Sequence, residues 1–261
     1  MSTSLLTTEP VSERSFRRLV AAELLKLRRR RALVGASLAF IVGPMLVSVV
    51  VLAVLHEVSP AKYGPAGGVD NLGGGLGLLT QIGAVAAILI GVTAGSGDLG
   101  AGVFRELVVT GRSRLALFAV RVPGGLAFLL PLVAIAFAIA ATSSVVLAGS
   151  APSPGAGLLL EYAAWVGLAL TLAFLLAVGV SSLLGSRATA IGVLLAWQLA
   201  VAPLLLQTGK LDPVLLGAAL QRLEPGADDA SISFAAAVVL IAAWTLVPLA
   251  AGAWRTQTRD A

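Results

Sequence analysis

"LLLEYAAWVGLALTLAFLLAVGVSSLL", Leu158 to Leu184, carries no charged side chain after Glu161. A helix rises 1.5 Å per residue, so about 20 apolar residues cross the ~30 Å hydrocarbon layer of a bilayer. This stretch exceeds that length without a break. A barrel strand would instead show about 10 residues of alternating polarity. Five further runs read the same way: Ala32–Leu55, Leu76–Gly97, Val122–Ala148, Ala188–Gln207 and Ile232–Trp254. None holds a charge beyond its first few residues. The run Ala188–Gln207 is the most dilute, with Gln198, Pro203 and Gln207.

The composition agrees. Of the 261 residues, 58% are hydrophobic and only 12% charged, about half the ~25% of a soluble domain. The mean hydropathy is +0.97. The bilayer is therefore the solvent, and the predicted fold class is an all-α polytopic membrane protein with six transmembrane helices. The net charge of +5 does not point to nucleic acid, because the charges are dispersed between apolar runs and form no single basic face. The absence of cysteine excludes disulfides, thiolate metal sites and cysteine nucleophiles.

Orientation follows from where the Lys and Arg side chains fall. With the N-terminus cytoplasmic, the inner side carries Arg14, Arg17, Arg18, Lys26, Arg28 to Arg31, Arg105, Arg112, Arg114, Arg121, Arg187, Arg255 and Arg259. The outer side carries only Lys62, Lys210 and Arg222, of 18 basic residues in all. Acidic residues split almost evenly. The expected organisation is a basic cytoplasmic N-terminus (1–31), a six-span domain (32–254) and a cytoplasmic tail (255–261). The chain is expected to lie in the cell membrane with both termini inside.

The N-terminus does not read as a cleaved signal peptide: its apolar run starts only at Ala32, is too long, and is followed by no small-residue cleavage site. Before it, "SFRRLVAAELLKLRRRR" places Phe16, Leu19, Val20, Leu24 and Leu27 on one helical face. That pattern is an amphipathic helix under the inner leaflet, with Glu23 as an imperfection within the apolar face. The alternative is a plain basic anchor, each Lys or Arg contributing ~1 kcal/mol near an anionic leaflet. Among the outer loops, Val214 to Leu223 reads as a short helix dipping into the interface. "GSR", Gly185 to Arg187, reads as a tight inner turn.

Most chemistry is excluded. There is no phosphate-binding loop, since "GGGLGLL" (Gly73 to Leu79) lacks the required lysine and reads as a flexible lead into a span. One histidine, His56, cannot build a histidine metal cluster, and it lies a membrane thickness from "GSG" at Gly95 to Gly97, so no intramembrane Ser–His pair forms. No ionisable side chain sits near mid-membrane, where ion-coupled transporters keep theirs. Gln198 is the polar group nearest the centre of a span. It reads as an interhelical hydrogen-bonding residue or as part of a transport pathway. Gly83, Ala87, Gly91 and Gly95 recur every four residues along one face, a stripe that lets a second helix approach closely. The stripe is expected to pack within the bundle or across a dimer.

Between the second and third runs lies "GDLGAGVFRELVVTGRSRLALFAVR", Gly97 to Arg121. Asp98 can cap a short helix here, and the charges of Arg105, Glu106 and Arg114 offer ion pairs to a partner. The alternative is an ordinary polar loop. The segment resembles the coupling loop of type 2 ABC exporter membrane subunits: an acid, a glycine, an arginine, a Ser-Arg pair and a final base. Those places fall on Asp98, Gly102, Arg105, Ser113-Arg114 and Arg121. Val103 stands where threonine is common, and Gly111-Arg112 replaces a usual proline. "AAELLKLRRRRAL", Ala21 to Leu33, is similar to that family's connecting helix and adds Glu23 and Lys26 to the coupling positions. The likeness covers the topology but only about 40 residues of motif.

The resemblance implies a permease, not itself an enzyme. It would pair with a cytoplasmic ABC ATPase that binds ATP and Mg, and with a second permease copy or paralogue. The apolar spans favour a hydrophobic or amphiphilic cargo. The competing class is an ATPase-independent membrane protein: a scaffold, sensor or immunity protein, a channel or a secondary transporter. A gene for a phosphate-binding-loop protein beside this one discriminates between them.

Overall fold

A computed structural model describes residues 13–100, 113–227 and 231–258, with side chains described except at 13–15 and 98–100. The expected sites Gly102, Arg105 and Glu106 lie outside the described residues, as does the side chain of Asp98. The chain is an all-α polytopic protein, and its described residues include six helices long and apolar enough to cross a membrane.

In chain order the helices are α1 (Glu13–Arg28), α2 (Arg31–Val58), α3 (Val69–Gly100), α4 (Arg114–Val146), α5 (Ala156–Leu184), α6 (Arg187–Gln207), α7 (Leu216–Arg222) and α8 (Phe234–Thr258). The spans are α2 to α6 and α8. α3 and α5 form the centre, with α4 and α6 against α3 and with α8 against α5. Leu72, Leu76, Leu79, Ile90, Leu129, Leu170 and Phe174 are fully buried between them. The α1 end also holds the last described residues of α8 and most of the described basic side chains; it is called the basic end below.

α3 departs from its expected start at Leu76. It begins at Val69, and "GGG" is helical rather than a flexible lead-in. Each glycine costs ~1 kcal/mol of helix propensity, but Leu72 and Leu76 bury here completely and outweigh it. The preceding loop is also fixed. The Asn71 side-chain amide donates to the carbonyls of Pro65 (2.8 Å) and Gly67 (3.0 Å). Gly68 takes φ +96°, a left-handed turn open to glycine. With 32 residues, α3 is about 48 Å long at 1.5 Å per residue and overruns the hydrocarbon layer.

Two spans widen into a π turn, Leu38–Val42 in α2 and Trp197–Val201 in α6. Each turn directly precedes a Gly-Pro or Ala-Pro pair, Pro44 and Pro203. A proline ring clashes with the carbonyl four residues back, and an extra residue in the turn relieves this. At the basic end the turn after α5 is tight. Gly185 closes it at φ +71° and donates to the Ser181 carbonyl (2.9 Å). Ser186 caps α6 through the Thr189 backbone N–H. α8 runs beyond the expected Trp254 to Thr258.

Candidate functional site

The stripe on α3 lies against α5 of the same chain. Ala87 is fully buried, and a Cβ placed on Gly91 would stand 2.5 Å from the Phe174 carbonyl oxygen and 2.8 Å from the Ala177 methyl. At Gly95 it would stand 2.7 Å from the Val178 oxygen, and at Gly83 3.3 Å from the Leu170 side chain. Backbone therefore meets backbone at the basic half of the pair. A second such contact joins α5 to α8: a Cβ on Gly179 would sit 2.6 Å from the Pro248 oxygen, and one on Gly252 2.7 Å from the Gly179 oxygen. In lipid, association rests on this van der Waals closeness.

Arg121, expected as the final base of the coupling loop, is turned into the bundle and is 1% exposed. Its Nη1 donates to the Gly95 carbonyl (2.8 Å) and to Ser182 Oγ (3.3 Å), while Ser182 Oγ donates to the same carbonyl (3.1 Å). Its guanidinium also lies 5.9 Å from the Phe118 ring centre. Charge-assisted bonds of this kind are about twice as strong as neutral ones. The result is a buried polar knot tying α3, α4 and α5 at the basic end.

α1 packs across the same region, mainly on α4. Its buried side is centred on Glu23 and Leu27, not on the apolar stripe alone. The Cβ and Cγ of Glu23 lie where a Cβ on Gly124 would be only 2.8 Å away; glycine at 124 is what admits them. Glu23 pairs with Lys26 one turn on. Arg17, Arg18, Ala21, Ala22 and Leu25 face outward. The imperfection seen in the sequence is thus the contact itself. Arg114 begins α4, where Ser113 Oγ accepts from the Ala116 N–H (3.2 Å). Its Nη1 donates to the Gln257 carbonyl in the last turn of α8 (3.2 Å). The basic end thus joins α1, α3, α4, α5 and α8.

Gln198 lies in the π turn of α6 and lines a cavity of about 270 Å³ between α3, α5, α6 and α7. Thr80, Gln81, Trp165, Trp197, Gln221 and Glu224 also line it. Its roof is the hairpin between α6 and α8. α7 there matches the short helix expected over Val214 to Leu223, and a 3-10 turn, Asp212–Val214, precedes it. Two indoles anchor the roof: Trp165 Nε1 donates to the Leu220 carbonyl and Trp244 Nε1 to the Val214 carbonyl, both at 2.9 Å. Trp197 packs on Trp244 with ring centres 5.6 Å apart. Burial raises the Glu224 carboxyl above the usual carboxylate range.

Sequence reasoning missed Ser182, Gly124, Gly179, Gly252, Trp165 and Glu224. One signal was available: an indole N–H inside an apolar run needs an acceptor, so Trp165 pointed to a polar neighbour. No protein-family model matches the chain, and neither does any curated protein.

Proposed function

We propose that the chain is the membrane subunit of an ATP-driven exporter of the type 2 ABC kind, with its basic end in the cytoplasm. The observation that carries the reading is the joined basic end. α1 is seated on α4 through Glu23 and Gly124, and Arg121 ties α4 to Gly95 of α3 and to Ser182 of α5. A push on α1, or on the segment that connects α3 to α4, is delivered to three spans together. That is what a soluble motor needs in order to drive a bundle with no ionisable group in the middle of its spans. The ATPase would bind ATP and Mg, and a second permease copy or paralogue would complete the pathway. ATP binding would shift the bundle between inward- and outward-facing populations. The cavity beside Gln198 lies at the far end, where cargo would leave.

The test is purification of the tagged chain from native membranes in mild detergent. A co-purifying soluble ATPase, whose hydrolysis is vanadate-sensitive and drives efflux from liposomes, is the expected result. A chain that purifies without any ATPase, in vesicles where ATP drives no transport, overturns the reading in favour of an ATPase-independent membrane protein.

A further inference from the structure

The roofed cavity has an unbalanced chemistry. Among the described residues Glu224 is the one ionisable side chain in its lining, and beside the two indoles the other polar side chains are the amides of Gln81, Gln198 and Gln221 and the hydroxyl of Thr80. The walls are apolar or aromatic: Trp165 and Trp197 face Ala84, Ile88, Leu176 and Leu194. No described cation pairs with Glu224. Its neighbour Arg222 instead donates through Nη1 to the Ala227 carbonyl (3.2 Å). The turn is held in place, since the Tyr162 hydroxyl donates to the Pro225 carbonyl (3.4 Å).

We propose that this cavity binds an organic monocation, a protonated or quaternary ammonium on an apolar body, with Glu224 as its counter-charge. An anion would meet the carboxylate and, among the described lining residues, no compensating base. A bare metal ion demands several oxygen ligands at 2.0–2.6 Å and leaves most of a 270 Å³ apolar space unfilled. A neutral lipid tail would leave the amides and the carboxylate unanswered. An ammonium with an apolar body satisfies all three features: one charge for Glu224, apolar bulk for the walls, and indoles for a cation to rest against. That this cation is cargo rests on the transport reading; that it binds does not.

Binding is measured on the purified chain in detergent without ATPase, by quenching of tryptophan fluorescence. The probes are benzyltrimethylammonium and its neutral carbon isostere, neopentylbenzene. The wild-type chain is expected to bind the cation at least tenfold more tightly than the isostere. Glu224→Gln should remove that preference, and Glu224→Asp should keep part of it. Glu161→Gln, an acid outside the cavity lining, should leave it intact. Thermal transitions of all variants establish that each is folded. Equal binding of cation and isostere by wild type, or a Glu224→Gln chain that prefers the cation as wild type does, overturns the proposal. Cation binding lost while an ATPase still co-purifies defeats this inference alone. Cation binding kept with no ATPase defeats the transport reading alone.

Discussion

Adding a single methyl at Gly91 should be among the most damaging small changes in this protein. A Cβ there stands 2.5 Å from the Phe174 carbonyl oxygen, whereas ordinary contact between non-bonded heavy atoms is about 3.5 Å. The obstacle is backbone, so no rotamer change relieves it, and α3 and α5 must part by roughly 1 Å. A gap of that size forfeits a quarter to a half of each contact's attraction. Leu170, Phe174 and Val178 are all fully buried on the α5 side. If about a third of the ~50 contacts of each cross this interface at ~0.15 kcal/mol apiece, the loss is about 2–4 kcal/mol. That meets the upper end of the usual overpacking range.

The same geometry supplies its own controls. A Cβ on Gly83 meets only the methyl ends of the Leu170 and Leu79 side chains, each at 3.3 Å, and those can move, so Gly83→Ala should cost under about 1 kcal/mol. A Cβ on Gly75, in the same helix, meets nothing within 4 Å, so Gly75→Ala should be neutral or gain up to about 1 kcal/mol of helix propensity. Thermal unfolding followed by fluorescence-detected gel filtration in one detergent ranks them. The expected order is Gly75→Ala at or above wild type, Gly83→Ala slightly below, and Gly91→Ala lowest. If Gly91→Ala melts with Gly75→Ala, the close α3–α5 contact does not support the bundle.

Arg121→Ala should destabilise by about 2–4 kcal/mol, because it removes charge-assisted hydrogen bonds and leaves a cavity; Arg121→Met, which refills the space but makes no hydrogen bond, should recover only part of that loss, and a Met variant that melts with wild type would refute a polar knot. Charge reversal at Arg105 and Arg114 together should lower the yield of co-purified ATPase while membrane insertion stays normal; an unchanged yield removes both from the coupling surface. Trp165→Phe keeps the ring but loses the N–H bond to Leu220, a net ~1 kcal/mol, so hydrogen exchange over residues 216–222 should quicken about fivefold. Unchanged exchange there would mean that the indole does not hold the roof.

The spans could be read from the sequence because crossing a bilayer is a one-dimensional property: enough apolar residues in a row, without a charge. The stripe from Gly83 to Gly95 was readable for a similar reason, since a four-residue repeat is already a helix face. The start of α3 was not. Three consecutive glycines have poor helix propensity, and only Leu72 and Leu76, buried against other helices, reverse that preference. Arg121 shows the deeper limit. A count of basic residues by side treats every arginine at a span's end alike, whether its guanidinium reaches water or a carbonyl. For Arg121 the difference lies in Gly95 and Ser182, 26 and 61 residues away in the chain. Glu23 is the same case with opposite sign. As part of an amphipathic pattern it is an error on the apolar face; beside Gly124 it is a fit, because the missing side chain of one residue makes the place for the other. Gly124→Ala should therefore lift α1 from α4, and Glu23→Gly in the same chain, which removes both the Cβ and the Cγ that crowd position 124, should let it settle again. Cysteine cross-linking between the two helices reads the distance, and a double variant that cross-links no better than Gly124→Ala alone would show that Glu23 is not what Gly124 accommodates.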